Sequence, residues 1–299
     1  MKHHGLRAEG ARLRMSIFSA FAVLLLLVAC FGAYFVPHDP YAQDLSAALQ
    51  APGVEHWLGT DRYGRDLFSR VIVGAQTTVF SALTLVASIT VVGTLVGVLC
   101  GYVGGWLDTL LMRISDIFLA FPEMVFAVAI AGVLNGGIWS AAIAVGLIAW
   151  PRYARVARSQ VLAMKHHEYM NAAKLSGTRW YKTIIKHILP NIMGPVIVTA
   201  ALDIGAMIMN LAGLSYLGLG VVPPIPEWGS MMSEGRSMLQ TAPWVVLAPG
   251  LAIFITVVIF NLLGDAVRDL LDPKQTRRSF MGSGIRRLFS GRKRKQSMV

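Results

Sequence analysis

The hydrophobic positions of this chain form long blocks with few or no charges. Residues 15–36 contain no charged side chain, and a helix rising about 1.5 Å per residue crosses a hydrocarbon layer of about 30 Å over that length. Five more apolar blocks follow, which we interpret as helices: 79–102, 109–134, 138–151, 192–214 and 245–263. The pattern predicts an all-α membrane protein with six transmembrane helices.

Composition supports this prediction and sets aside soluble enzymes, disordered chains and disulfide scaffolds. Hydrophobic residues make up 55% of the 299 positions and charged residues 14%, against about 25% charged in an average soluble domain. The mean hydropathy is +0.58. Cys30 and Cys100 lie in apolar blocks, so neither a structural disulfide nor redox chemistry is indicated. The first block is longer than the core of a cleaved signal, which is about 7–15 residues, and this favours a retained helix.

The net charge of +11 is distributed unevenly over the loops. If both termini are cytoplasmic, 23 of the 27 Lys and Arg residues face the cytoplasm, and only Arg62, Arg65, Arg70 and Arg236 lie outside. This positive-inside bias predicts cytoplasmic termini, and it explains the basic charge without a nucleic-acid partner. Arg152, Arg155 and Arg158 follow the fourth block, and we expect them to place its end at the lipid headgroups.

Small residues and prolines indicate how the helices and outer segments are arranged. Gly93, Gly97 and Gly101 recur every four residues and predict a face of the second helix that packs closely on another helix. The outer segment 37–74 is too polar for lipid, and 215–243 contains prolines that exclude one continuous helix. This second segment is either a re-entrant cap over the helices or a surface loop.

The segment 168–190, between the fourth and fifth blocks, is not a simple polar linker. Apolar residues recur at helical spacing around Tyr169 and again around Trp180. Between them, Gly177 suits the left-handed conformation that ends a helix, Thr178 can cap the next helix, and Pro190 can stop it. We predict two short amphipathic helices joined by a sharp bend. Their apolar faces rest either in a groove of a partner protein or on lipid.

Several stretches resemble, in order, the motifs of one family. The segment 168–190 resembles the "EAA" loop of ABC importer permeases through Glu168, Ala172, Ala173, Gly177 and the closing HILPN. The stretches LGTDRYGRD (58–66), LSYLGLG with PPIPEWG (214–229) and NLLGD (261–265) are similar to segments of the oligopeptide/dipeptide/nickel branch, in its C-type, second permease subunit. Three residues separate Glu168 from the alanine pair, a spacing that this branch commonly shows in place of the generic one.

The resemblance implies a type I ABC importer permease fold in a bacterial inner membrane. It implies a B-type permease as heterodimer partner, two ATPase subunits that use ATP and Mg, and an extracytoplasmic substrate-binding protein. The chain itself would bind no cofactor and no metal. The residues expected to couple it to the ATPase are Glu168, Tyr169, Ala172, Ala173, Gly177 and Trp180.

We divide the chain into five regions on these grounds. They are a cytoplasmic tail 1–14, a first helix 15–36, an extracytoplasmic segment 37–74, a permease core 75–273 with the coupling loop 159–190, and a basic cytoplasmic tail 274–299.

Catalytic motifs are incomplete. The chain contains no Gly-Lys pair and hence no P-loop, so ATP hydrolysis would belong to another chain. Asn171 replaces the second histidine of an H-E-x-x-H motif, and no histidine follows His187 to act as a base for Ser215. We therefore do not predict an enzyme.

Polar residues inside the apolar blocks are candidates for a transport pathway. Glu123, Asp203 and Asn210 are of this kind, with Met207 beside them, although methionines also serve as plain core packing. We predict a permease subunit that forms half of a pathway for short peptides, with nickel or metal-chelator uptake as the alternative within the family. A secondary transporter that needs no ATPase is the rival of another class; it predicts inverted repeats, which are not apparent.

Overall fold

The computed structural model describes residues 2–165 and 167–271, and for 2–12 and 171–174 it describes the backbone alone. Within those residues the regular secondary structure is helical, apart from one isolated bridge between Thr60 and Asp66. The α-helices are α1 Lys2–Phe31, α2 Leu67–Val103, α3 Gly105–Ala120, α4 Glu123–Val133, α5 Ile138–Met164, α6 Glu168–Leu175, α7 Trp180–Thr183, α8 Leu189–Tyr216, α9 Trp228–Gly235 and α10 Trp244–Leu271. The all-α prediction is confirmed, and the basic tail 274–299 lies outside the described residues.

Four stretches of helix in the described ranges are long and apolar enough to cross a membrane, and a fifth crossing arises if the bent pair α3–α4 counts as one. They are Leu13–Tyr34, Leu67–Val103, Trp180–Tyr216 and Trp244–Leu271. The helix α5 is not among them, since Arg152, Arg155 and Arg158 lower the hydropathy of its second half. Length and hydropathy thus support four or five crossings where the sequence pattern predicted six.

The predicted span over 109–134 is not one continuous helix. It is divided into α3 and α4, which meet at an angle of 95°. Phe121, between them, is extended with φ −89° and ψ 145°. A proline disfavours helical conformation in the residue before it, and Pro122 follows directly.

Two predicted helix boundaries are also wrong. The second helix begins at Leu67 rather than at residue 79, because Asp66 caps it by accepting a hydrogen bond from the backbone N–H of Ser69. The fourth helix, α5, does not stop at Pro151 but runs through it to Met164. The first residues of the predicted coupling loop 159–190 therefore belong to α5.

The helices α2 and α5 pack at close range along the glycine face of α2. A Cβ atom on Gly93 would come within 2.5 Å of the Tyr153 Cβ, and one on Gly101 within 2.8 Å of the Val161 Cβ. Gly97 in the same way faces Ala154 and Ala157. The missing side chains let the two backbones approach each other more closely than any larger residue would allow.

The outer segment 215–243 is packed on the helix ends and is not a free surface loop. Its helix α9 buries Trp228, whose indole Nε1 donates a hydrogen bond of 2.9 Å to the carbonyl of Val71 in α2. The next residue, Gly229, lies directly against the backbone of Ala212 in α8. Of the two interpretations of this segment, a cap on the helices agrees with these contacts.

Candidate functional site

A row of three arginines on α5 joins this helix to acids on its neighbours. Arg152, Arg155 and Arg158 follow one another every third residue, so they lie on adjoining positions of the helix surface. Arg155 donates to Asp116 at 2.6 Å. Arg158 holds Asp108 with two hydrogen bonds of 2.5 and 2.6 Å, the bidentate geometry that makes arginine–carboxylate pairs specific.

Arg152 contacts acids from two different helices. Its Nη1 donates to Oδ1 of Asp203 in α8 at 2.7 Å, and its Nη2 lies 3.6 Å from Oε2 of Glu123 in α4. The side-chain amide of Asn210 donates to the other carboxylate oxygen of Glu123 at 2.9 Å. We call these four residues the Arg152 network. Asp203 is buried, whereas the guanidinium and Glu123 are partly exposed, so the network is accessible from one side.

Three of the four residues predicted for a pathway lie in this network, and the fourth does not. Met207 is fully buried in the main apolar core together with Ile208 and Leu211. Arg152, Arg155 and Arg158, which were expected at the lipid headgroups, each meet an acid on a neighbouring helix.

The segment between α5 and α8 has one buried face and one exposed face. Met170, Ile188 and Ile192 are buried in a second apolar core, against Val98, Ala157 and Val161 of α2 and α5. The opposite face exposes Tyr169, Leu175, Trp180, Tyr181 and Ile185. The exposed fraction is 90% for Leu175 and 60% for Trp180, so this face is unpartnered within the described residues.

The bend in this segment is at Gly177, which has φ +69° as the sequence predicted. The prediction that Thr178 caps the next helix is wrong: the N-cap is Arg179, and the Thr178 hydroxyl lies 3.1 Å from that of Ser176. Pro190 does not stop the helix either. It stands in the first turn of α8, where a backbone N–H is not needed, and a π-helical turn at Ile184–Ile188 joins α7 to α8. The side chains of Ala172 and Ala173 lie outside the described residues.

At the other end of α2, a buried ionic cluster fastens the segment 37–66 to α9. Arg65 donates to Asp61 at 2.6 Å and to Glu234 of α9 at 2.8 Å. Arg70 lies 3.7 Å from Asp61 and 3.8 Å from Glu234. Both arginines are at least 98% buried, so two cations and two anions neutralise each other away from water.

Glu227 begins α9 beside this cluster and is also buried. Its two carboxylate oxygens accept from the backbone N–H groups of Gly229 and Ser230 at 2.9 and 2.8 Å. Burial raises the pKa of Glu227, and these hydrogen bonds, which favour the ionised form, oppose that effect.

Comparison with known proteins identifies the family. The family of "binding-protein-dependent transport system inner membrane component" proteins matches residues 93–277, more than half of the chain. The chain belongs to this family. It is therefore a permease subunit of an ABC importer in the bacterial inner membrane.

Close relatives cover most of the permease. The probable D,D-dipeptide transport system permease protein DdpC of Escherichia coli (strain K12) is 44% identical over 84% of this chain and 85% of its own. The dipeptide transport system permease protein DppC of Alkalihalophilus pseudofirmus is 41% identical over 83% and 82%. The nickel transport system permease protein NikC of E. coli K12 is 39% identical over 84% and 90%. Among solved structures, the inward-facing MetNI methionine ABC transporter aligns with 66% of this chain and 95% of its own, at 16% identity and a TM-score of 0.49.

Two features of the permease were missed by sequence reasoning, namely the cross-helix partners of the α5 arginines and the buried outer cluster. Arg113 lies 3.9 Å from Asp116 within α3, and Arg155 of α5 is closer to the same acid, at 2.6 Å. The available signal was the count of charges: three arginines at one spacing within an apolar helix require acids, and Asp108, Asp116, Glu123 and Asp203 are the acids in nearby blocks.

Proposed function

We propose that this permease takes its movement from separate ATPase subunits through the exposed face of 168–190. The observation that carries the proposal is the set of apolar side chains exposed on α6, α7 and the π-helical turn. A contiguous apolar surface in a polar loop is typical of a protein interface. The proposed coupling residues are Glu168, Tyr169, Ala172, Ala173, Gly177 and Trp180. Glu168 also stabilises α6, because its negative charge in the first turn complements the helix dipole.

The proposed topology has six crossings and both termini in the cytoplasm. It requires α5 to cross despite its arginines, and the bonds of these arginines to acids on α3, α4 and α8 support that requirement. It also requires α3 and α4 to act as one broken crossing. The division into 1–14, 15–36, 37–74, 75–273 and 274–299 is retained as part of this proposal. The helix α2 begins at Leu67, inside the region 37–74.

The proposed pathway passes the Arg152 network, with a B-type permease supplying its other half. One guanidinium between two carboxylates leaves an excess of one negative charge, which suits the amino group of a peptide or a metal cation. We favour short peptides, because the relatives DdpC and DppC carry dipeptide names. Nickel is the second candidate, supported by NikC. Family membership favours an ATP-driven importer with a substrate-binding protein over a secondary transporter.

The coupling proposal is tested with two tryptophans of similar exposure. Trp180→Ser should weaken association with the ATPase by about 30-fold, equivalent to about 2 kcal/mol for an aromatic anchor. Trp106→Ser, whose indole is 76% exposed at the start of α3, should leave it unchanged. Co-purification and ATP-dependent uptake are the measurements.

A backbone variant gives a second test. Gly177→Pro is incompatible with φ +69° and should abolish uptake while the protein still inserts. Normal uptake by both Trp180→Ser and Gly177→Pro would contradict the proposed coupling face. Cargo is tested separately, by which peptide or metal raises the melting temperature of the cognate binding protein.

A further inference from the structure

Two histidines and an aspartate converge at the outer end of α2, in a place that the proposed transport mechanism does not use. His38 and His56 come from the segment before α2, and Asp66 is the residue that caps this helix. One ring nitrogen of each histidine and one oxygen of Asp66 all lie within 4.8 Å of one another. Imidazole and carboxylate together form a donor set that suits Zn²⁺ and Ni²⁺.

The distances allow these atoms to share one ion. Nδ1 of His56 lies 2.9 Å and Nδ1 of His38 lies 3.9 Å from the same Oδ1 of Asp66. Ligand atoms that are each about 2.1 Å from an ion stand at most about 4.2 Å apart, and both pairs meet this limit. The imidazole rings are 4.9 Å apart between centroids, so a small rotation of His38 brings the third pair into range.

Contacts with other groups hold the Asp66 carboxylate and the backbone of His56 in place. The second carboxylate oxygen of Asp66 accepts from the backbone N–H and the hydroxyl of Ser69, at 2.8 and 2.7 Å. The carbonyl of His56 accepts from the N–H groups of Gly53 and Gly59, both at 2.9 Å. Metal ligands are commonly oriented by such outer contacts.

The hydrogen bond between His56 and Asp66 does not explain why His38 lies beside them. Asp66 and His56 already satisfy each other, but Nδ1 of His38 is shielded from solvent and has no hydrogen-bond partner among the described residues. A shielded polar atom without a partner is costly, and a bound cation would offset that cost. The rest of the His38 side chain is 38% exposed, which provides a route of entry from solvent.

We propose that His38, His56 and Asp66 form a site for a divalent transition metal ion, of the Zn²⁺ or Ni²⁺ type, with the remaining coordination position open to solvent. The ion would fasten the segment 37–66 to the start of α2. The proposal rests on these three side chains alone and is independent of which cargo the permease carries.

The test uses the full chain in nanodiscs, without a polyhistidine tag and with His3→Gln and His4→Gln as background. Cobalt is the probe, because four-coordinate Co²⁺ has a strong visible absorption that Zn²⁺ abolishes when it displaces the ion. We expect one equivalent of Co²⁺ to bind, and saturating Zn²⁺ to raise the thermal midpoint, since an ion that binds only the folded state stabilises it.

The decisive variant is His38→Gln, because it removes one ligand and leaves the His56–Asp66 hydrogen bond intact. We expect it to lose stoichiometric Co²⁺ binding and the Zn²⁺-dependent shift, with its metal-free midpoint unchanged. His187→Gln, at the opposite end of the protein, should retain both. The proposal is overturned if the wild type binds no Co²⁺, or if His38→Gln binds it equally well; uptake assays are not part of this readout, so the transport proposal is judged separately.

Discussion

Arg152 balances two acids that would otherwise be poorly solvated. Asp203 is buried, and an isolated carboxylate in such a place is destabilising unless a cation or several donors face it. Glu123 has Asn210 as a second donor, so it depends less on the guanidinium. The free energy contributed by Arg152 therefore comes mainly through Asp203.

Arg152→Gln should lower the free energy of unfolding by about 2 kcal/mol, between the values typical of exposed and of buried pairs. Adding Asp203→Asn should restore much of the loss, because the remaining acid, Glu123, is partly exposed and keeps its hydrogen bond from Asn210. A double-mutant cycle from thermal unfolding in detergent measures the coupling. Arg113→Gln is the control, since its contact with Asp116 is 3.9 Å long and its side chain is 79% exposed. Equal effects of the two single arginine variants would argue against the network.

Glu227 gives a pH dependence with a definite sign. Because its pKa is raised in the folded state, the stability linked to its proton is fully present below the ordinary value of 4.5 and is lost as pH rises through the folded pKa. The glutamine side chain of Glu227→Gln is uncharged at every pH, so the variant does not lose stability through ionisation at this position. The melting temperature of the variant minus that of the wild type should therefore fall as pH is lowered from neutrality toward 4.5. A difference that is constant with pH would contradict the raised pKa.

At the scale of elements, the contact of α2 with α5 rests on small residues, and substitution there has a local control. Gly97→Ala places a methyl group against Ala154 and Ala157, and overpacking of this kind costs about 1–3 kcal/mol. Gly132→Ala, in the last turn of α4 with open space around it, should be neutral or stabilising by up to about 1 kcal/mol. Thermal unfolding of the two variants decides whether the close approach, rather than helix propensity, governs stability.

The elements also show what a single sequence can predict. The helical nature of the apolar blocks and the left-handed Gly177 depend on local patterns, and both were predicted correctly, whereas several helix boundaries were not. The break at Pro122 had a local signal as well, the proline itself, although the apolar residues on both sides of it predicted one span. The bonds of Arg152 and Arg158 join residues about fifty positions apart, and no local pattern determines which acid each arginine meets. In the candidate site, Glu123 and Asp203 could be predicted from the sequence, but their common partner Arg152 could not.

At the scale of the whole molecule, the proposed topology puts the cluster around Asp61 and the bend at Gly177 on opposite sides of the membrane. In a background with Cys30→Ser and Cys100→Ser, a cysteine at Ser46 should react with an impermeant maleimide in intact spheroplasts. A cysteine at Thr178 should react only after the membrane is opened. Ser46 is exposed in the outer segment and Thr178 is partly exposed at the bend, so solvent reaches both positions. Labelling of both from one side would contradict six crossings with cytoplasmic termini.

The stretch from Trp180 to Tyr216 is helical throughout, over 37 residues and a length of about 55 Å. Asp203 lies about 35 Å along it from Trp180, so a tilt of about 5° at the Trp180 end sweeps the carboxylate through about 3 Å. This displacement is comparable to the 2.7 Å length of the hydrogen bond between Arg152 and Asp203. In the proposed topology, a tilt of a few degrees at the Trp180 end would therefore be sufficient to separate the charges of Asp203 and Arg152.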